Sequence, residues 1–175
     1  LKTFPEEIQK QKTRIAALQQ DSQIAAAHPQ DKENFCGMTI KGMVYDDKKA
    51  AGERLLLARQ EMPNADMMLL GTYRGFELNI RFDSFKNEHQ AVLRAELSYP
   101  VSLGDDARGN ITRLDNAIDN FADRIADAEN ALQNLEQQKQ AAEIEVAKPF
   151  AQEEELAEKS ARLAELNALL NIDRD

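Results

Sequence analysis

Apolar residues near the start of the chain recur at heptad-like spacing, which predicts a helix over residues 5–27. Its apolar face consists of Ile8, Ile15, Leu18 and Ala25. Polar residues at Gln11 and Ser22 weaken this face, so the helix needs a packing partner. The polar run HPQDKEN, residues 28–34, follows the helix and predicts a linker.

The middle of the chain, residues 36–103, changes to an alternation of apolar and polar residues, which is typical of half-buried strands. The run FELNIRFD, residues 76–83, puts its apolar side chains on one face. A second strand is predicted in AVLRAELSYPVSL, residues 91–103, where Pro100 indicates a sheet edge or a bulge. An earlier strand is predicted in GMTIKGMVY, residues 37–45.

Between these strands, DDKKAAGERLLLARQEMP, residues 46–63, predicts a helix. Asp46 or Asp47 is expected to cap its start, and the helix is expected to end before Pro63. Its predicted buried stripe is Ala51, Leu55, Ala58 and Met62. A small antiparallel sheet with a helix packed on its apolar face belongs to the α+β class.

The run LLGTYRGFELNIRF predicts a hairpin with a three-residue connection. Tyr73 and Arg74 then form a type I turn and Gly75 adopts the left-handed region, so that neither larger residue needs a positive φ. Gly75 is therefore a structural turn residue. The expected strand pairs are Thr72 with Phe76, Leu70 with Leu78 and Met68 with Ile80.

Two interpretations remain open for the tip of this hairpin. Tyr73 and Arg74 are expected to be exposed there, and a tyrosine beside an arginine is a frequent recognition pair for proteins or nucleic acids. The alternative is a purely structural turn. Arg81 and Arg94 are expected on the outer face of the sheet, where they either bind phosphate or form cross-strand charge pairs. These four residues are the candidate contacts for DNA or for a protein partner.

A third segment starts at Gly109, where steps of three and four residues predict a long coiled-coil-like helix. The apolar seam is Ile111, Leu114, Ile118, Phe121, Ile125, Ala128, Leu132 and Leu135. Asn110 is the predicted N-cap, and Gly109 lets the chain enter the helix at an unusual angle. The helix is expected to stop before Pro149, and residues 149–171 are expected to turn back as a final helix.

The predicted fold is therefore α+β, with a small antiparallel sheet, a packed helix and long antiparallel coiled-coil-like helices from both termini. Residues 1–35 form the N-terminal stalk helix and linker, and residues 36–108 form the α+β head. Residues 109–175 form the long helix and the returning C-terminal helix of the stalk. This stalk either closes on itself or forms a homodimer.

The net charge of −9 is concentrated in the last part of the chain. Basic and acidic residues balance at 5 and 5 in residues 1–35 and at 9 and 9 in residues 36–102, whereas residues 103–175 contain 8 basic and 17 acidic residues. Because neutralised phosphates supply most non-specific affinity for DNA, only the neutral middle segment is a candidate for contact with duplex DNA.

The chain carries no recognisable catalytic or metal-binding pattern. Cys36 is the single cysteine, and His28 and His89 are far apart in sequence, so neither an internal disulfide nor a metal site is expected. Asp105 and Asp106 are interpreted as turn and cap residues. No phosphate-binding loop, dinucleotide fingerprint or nucleophile elbow occurs, so we expect no enzyme activity and no cofactor. With no long apolar run and no leader, we expect a cytoplasmic protein without membrane contact.

Four runs carry a resemblance to a known family: YDDKKAAGERLL, GTYRGFEL, LGDDARGNITRLDNAI and KPFAQEEELAEKSARLAELNALLN. With the spacers between them, nearly the whole chain resembles the C-terminal region of very large proteins of bacterial mobile elements. Those proteins join an N-6 adenine DNA methylase to a Swi/Snf-type helicase. The leucine at position 1 likewise predicts a fragment of something larger. Neither the amino-methylase signature nor a helicase motif occurs here, so no catalytic role carries over.

The resemblance implies a non-catalytic accessory domain of a DNA methylase and helicase polypeptide. One hypothesis is that the head assists DNA engagement or target recognition, as the specificity parts of restriction-modification enzymes do. The other is a structural coiled-coil arm that docks other domains of the polypeptide or a protein partner, because the acidic tail would repel phosphate.

Overall fold

The computed structural model describes residues 3–31, 33–62 and 66–173, and in these it contains one six-stranded antiparallel sheet and four helices. The elements in chain order are α1 (Phe4–Ala27), β1 (Met38–Ile40), β2 (Met43–Tyr45), α2 (Lys48–Glu61), β3 (Met68–Tyr73), β4 (Phe76–Asp83), β5 (Glu88–Arg94), β6 (Ser98–Ser102), α3 (Ala107–Ile118) and α4 (Phe121–Asp173). The strand order is β2-β1-β3-β4-β5-β6. The predicted α+β class is confirmed.

The chain divides into two compact units. The larger is residues 10–130, and it contains the whole sheet, α2 and α3. The smaller combines residues 1–9 with residues 131–175. The predicted head, residues 36–108, lies inside the larger unit, which also includes most of α1 and the start of α4.

One apolar core holds the larger unit together, between one face of the sheet and the helices. The centre of β4 contributes Phe76, Leu78 and Ile80, all fully buried. The helices contribute buried residues from four segments: Leu18, Leu55, Ile111, Leu114, Ile118 and Phe121. Burial of each such side chain contributes about 1.5–3 kcal/mol, so this core is the main source of stability.

Helix α2 forms as predicted. Asp47 is its N-cap and accepts a hydrogen bond from the amide of Ala50 at 3.0 Å. The buried residues of α2 are Ala51, Gly52, Leu55 and Ala58. A Cβ on Gly52 would lie 2.1 Å from the carbonyl oxygen of Ala107, so glycine lets α2 and the start of α3 approach closely.

Two stretches that were each predicted as one strand are hairpins. Residues 37–45 form β1 and β2, joined by Lys41 and Gly42 at φ of 49° and 81°, the positive values of a two-residue hairpin turn. Residues 91–103 likewise contribute to both β5 and β6. In residues 91–103 the apolar alternation continues through the turn, so it does not reveal the reversal. Pro100 lies in β6, an edge strand, as predicted.

The connection between β3 and β4 is shorter than predicted. Arg74 and Gly75, at φ of 49° and 83°, form a two-residue turn, and Tyr73 pairs with Phe76. The predicted pairing of Thr72 with Phe76 is therefore wrong, although Gly75 does adopt the left-handed region. A register shift between Leu69 and Gly71 restores the predicted pair of Met68 with Ile80.

The N-terminal part of the third segment is also different from the prediction. Helix α3 begins at Ala107 with Asp106 as its N-cap, so Gly109 and Asn110 lie inside the helix. Asn110 is buried, and its side chain binds the backbone N–H and carbonyl of Gly104 at 2.7 and 3.0 Å. It therefore fixes the preceding loop instead of capping the helix.

The predicted single seam from Ile111 to Leu135 is divided between two helices. Helix α3 ends at Ile118, and α4 begins at Phe121. The early seam residues Ile111, Leu114, Ile118, Phe121 and Ala128 are buried in the core of the larger unit. Their spacing serves packing beneath the sheet, which a heptad pattern alone does not distinguish from a coiled coil.

Helix α4 continues through Pro149 to Asp173, so the predicted stop and returning helix are wrong. Proline removes one backbone donor and disturbs one turn, but runs of alanine, glutamate, lysine and leucine on either side favour the helix strongly enough to carry it through. In the larger unit, Gln11 of α1 donates to the carbonyl of Ala128 in α4 at 3.1 Å.

Candidate functional site

The predicted recognition pair at the hairpin tip is buried. Tyr73 and Arg74 are only 1% and 5% exposed, so their predicted exposure is wrong. The ring of Tyr73 stacks on Phe35 with ring centroids 5.9 Å apart. The Tyr73 hydroxyl donates to Asp115 at 2.5 Å. This tip closes against α3 and does not project from the sheet.

Arg74 connects three parts of the fold. Its Nε donates to the carbonyl oxygen of His28, at the end of α1, at 2.9 Å. Its Nη1 donates to Asp115 at 3.2 Å, and its Nη2 donates to Asp119 at 2.7 Å. Both carboxylates lie near the C-terminus of α3, where the helix dipole also favours a cation. Arg74 is thus a structural residue of this network. Its predicted contact with DNA assumed an exposed side chain, and the side chain is buried.

Beside this network lies a polar cavity of about 400 Å³. Among the described residues that line it, Asp31, Glu33, Asp46, Asp47 and Asp115 are acidic and Lys48 is basic. Cys36 also lines it, and burial raises the pKa of this thiol, which disfavours the thiolate needed for nucleophilic attack. Within the described residues, no group of three or more histidine, cysteine or acidic side chains is arranged to hold a metal ion.

A second buried carboxylate, Asp21, attaches α1 to the connection between β5 and β6. Asp21 is fully buried and accepts from the backbone N–H groups of Glu96 and Leu97 at 2.9 and 3.0 Å. It also accepts from the Tyr99 hydroxyl at 2.5 Å. The guanidinium of Arg124 lies 4.9 Å from the centre of the Tyr99 ring. This cluster is structural, and the sequence analysis did not single it out.

Both buried phenols have pKa values raised far above the ordinary value of about 10. Burial is the largest cause for Tyr73 and Tyr99, followed by the hydrogen bond to the neighbouring carboxylate and its negative charge. The protonated phenols therefore contribute stability that is fully present below about pH 10 and is lost as the pH rises toward the folded-state pKa.

We expect the free energy of unfolding to fall above about pH 10, by up to about 1.4 kcal/mol per pH unit for each of the two phenols. Urea unfolding between about pH 9 and pH 11 measures this slope. Tyr73→Phe and Tyr99→Phe should each remove about half of this fall in the free energy of unfolding per pH unit. A double variant that kept the full slope would contradict the prediction.

The remaining candidate arginines lie on the outer face of the sheet. Arg81 pairs with Gln90 across the strands, and its Nε and Nη2 donate to the Gln90 side chain at 3.0 and 2.9 Å. Arg94 is exposed and pairs with Glu77 in the sheet register. Contact of Arg81 and Arg94 with DNA stays a prediction.

A row of exposed leucines on the last part of α4 is the most unusual surface of the smaller unit. This leucine stripe consists of Leu156, Leu163, Leu166, Leu169 and Leu170, which are 55–66% exposed. Leu156, Leu163 and Leu170 are seven residues apart, so they fall on one side of the helix. Large apolar surfaces of this kind are uncommon on helices that face only water.

A groove of about 580 Å³ precedes the stripe in the smaller unit. Its walls are the first turn of α1, with Thr3, Phe4 and Pro5, and one face of α4. The α4 residues are Lys139, Ala142, Glu143, Val146 and Ala147. Phe4, Pro5 and Val146 make this groove largely apolar.

Comparison of the chain with protein-family models, with curated proteins and with solved structures finds no match. Over residues 3–31, 33–62 and 66–173, no helix has both the length and the apolar character needed to cross a membrane. Functional inference therefore rests on the surfaces described above.

Proposed function

We propose that this chain is a non-catalytic accessory module of a DNA methylase and helicase polypeptide, and that its long helix docks a protein partner or another domain of that polypeptide. The exposed leucine stripe of α4 carries this proposal. Five leucines, each more than half exposed, are unfavourable in water, and covering them on binding would release apolar surface from solvent.

The stripe belongs to a longer apolar pattern. Leu135 and Ala142 precede Leu156 at multiples of seven residues, and both are partly covered, whereas Leu156 and the leucines after it are exposed. A surface that is covered along one stretch and uncovered along the next is typical of a helix that continues into an interface.

The burial of Tyr73 and Arg74 weakens the alternative hypothesis of DNA engagement, because these residues were its main motivation. That hypothesis now depends on Arg81 and Arg94. Titration of duplex DNA at low salt, comparing the unchanged chain with Arg94→Ala, tests it. Binding that is lost in this variant and weakens steeply with salt would restore DNA engagement as the leading function.

Site-specific photocrosslinking in cells tests the docking function. A photoreactive phenylalanine analogue at the position of Leu163 should form a discrete protein adduct. The same group at the position of Ala161, on the opposite side of α4, is the matched control and should not. Absence of adducts from Leu163 and from Leu156 would overturn the proposed function.

A further inference from the structure

We propose that the outer face of the sheet is an interface between two copies of the chain, related by a twofold axis through Asn79. This inference goes beyond the docking function of α4, because it concerns a surface of the larger unit. It rests on a sheet face without a covering helix, on an unpaired amide at its centre and on the charges beside that amide.

The outer face of the sheet carries no helix within the described part of the larger unit. All four helices contribute to the apolar core on the opposite, inner face, through Leu18, Leu55, Ile111 and Phe121. Val92 is 1% exposed but does not belong to that core, because its side chain points to the outer face. In this part of the chain, the outer face is therefore shielded from water by side chains of the sheet itself.

The centre of the outer face is a row of residues that crosses four strands. Register pairs join Leu69 to Asn79, Asn79 to Val92 and Val92 to Pro100. Leu69 is 59% exposed, and Pro100 is exposed on the edge strand β6. The row is apolar apart from Asn79. If two sheets pack face to face with the twofold axis along this row, each of its residues meets its own copy.

Asn79 has a side-chain nitrogen without a hydrogen-bond partner, although the residue is only 3% exposed. A buried polar group without a partner is unfavourable. Because a primary amide carries both a donor and an acceptor, two asparagines that meet on a twofold axis satisfy each other. The neighbouring side chains of Leu69 and Arg81 are exposed and half-buried, so they are free to move aside as a second sheet approaches.

The charges beside the row are self-complementary about the same axis. Glu77 lies two residues before Asn79 in β4, and Arg81 lies two residues after it. Their side chains share the outer face, because alternate residues of a strand point the same way. A rotation about the row brings Glu77 of one copy opposite Arg81 of the other, twice in each dimer. Within one chain, the two residues are about 13 Å apart along the strand.

The size of the outer face indicates a reversible dimer. Six strands at a spacing of about 4.8 Å span about 24 Å, and strands of about six residues are about 20 Å long. The face therefore covers about 500 Å² on each copy and about 1,000 Å² in the pair, which is near the lower limit for specific interfaces. We expect a dissociation constant of about 1–100 µM.

Sedimentation velocity of the full chain between about 2 and about 200 µM tests the dimer. We expect Glu77→Arg and Arg81→Glu each to weaken dimerisation by at least about 10-fold, because each places like charges opposite each other twice. Mixing these two variants restores opposite charges at both contacts, so the mixture should form a heterodimer within about 3-fold of the affinity of the unchanged chain. The matched control is Glu53→Arg, the same charge change at an exposed residue of α2, which should leave dimerisation within about 3-fold.

The side chain of Asn79 gives a second readout that needs no variant. Its amide resonances in nitrogen-edited NMR of the unchanged chain should shift with concentration and give the same dissociation constant as sedimentation. The amide resonances of Asn34, which is exposed and lies outside the sheet, should not shift. Circular dichroism confirms that each charge variant keeps its secondary structure.

Three results would overturn this interface. The first is a chain that sediments as a monomer at about 200 µM. The second is a dimer that Leu163→Asp abolishes and Glu77→Arg does not weaken, because the copies would then meet through the leucine stripe. The third is a set of Asn79 resonances that respond to added duplex DNA and not to protein concentration, which would assign the outer face to DNA.

Discussion

Asp115→Ala is expected to lower the free energy of unfolding by about 3–5 kcal/mol. Asp115 is buried and accepts both from the Tyr73 hydroxyl and from the Arg74 guanidinium. Without it, the phenol loses its acceptor and the buried guanidinium retains only the carboxylate of Asp119 and the carbonyl of His28. Urea unfolding followed by circular dichroism measures the change.

Asp119→Ala is the matched control for this result. Asp119 binds the same guanidinium, at 2.7 Å, but its side chain is 46% exposed. Water can replace much of this interaction, so the expected loss is about 1 kcal/mol or less. If the two variants lost equal stability, burial of Asp115 would not be the reason for its effect.

Asp21→Ala is expected to lower the free energy of unfolding by about 3 kcal/mol. The substitution leaves three donors without their acceptor: the buried hydroxyl of Tyr99 and the partly buried amides of Glu96 and Leu97. A fully buried unsatisfied group costs about 1–3 kcal/mol, and the two partly buried amides cost less because water can reach them. Amide hydrogen exchange at Glu96 and Leu97 should accelerate along with global unfolding.

Tyr99→Phe separates the parts of this cluster. It removes one hydroxyl and leaves both amides bound to Asp21, so we expect a loss of about 1 kcal/mol. Exchange at Glu96 and Leu97 should then stay slow. If Tyr99→Phe cost as much as Asp21→Ala, the two backbone contacts would contribute little.

The sequence correctly predicted those helices and strands whose capping residues and apolar pattern all lie within the element. The cap at Asp47 and the apolar stripe that includes Leu55 define α2 completely. Alternation identified β4, because the apolar residues of its first half share one buried face while its polar residues lie on the other. The same alternation did not reveal the turn at residues 95–97, because apolar residues continue the period there. The turn at Lys41 and Gly42 was also missed, although Gly42 is a typical hairpin-turn residue.

The buried polar clusters depend on partners far away in sequence, and the sequence analysis missed them. Arg74 and Asp115 are 41 residues apart, and Asp21 and Tyr99 are 78 residues apart. A weak local signal does exist: Asp115 directly follows the core residue Leu114. An acidic residue at the border of a buried helical face suggests a buried partner, but it does not identify that partner.

The helical misassignments have a different cause. Asn110 and Pro149 are residues that ordinarily begin and end helices, and local rules placed boundaries there. In the folded protein, Asn110 instead holds Gly104, and the residues around Pro149 have enough helix propensity to extend α4 past it. Tertiary contacts in the first case, and summed propensity in the second, outweighed the single-residue signal.

The two edge strands of the sheet, β2 and β6, are poor templates for pairing with a strand of another chain. On one side, β2 offers only the three residues Met43–Tyr45 to an incoming strand. On the other, Pro100 interrupts β6 with a residue that has no N–H to donate. Copies of this protein are therefore poorly suited to stack into a continuous fibril at high concentration.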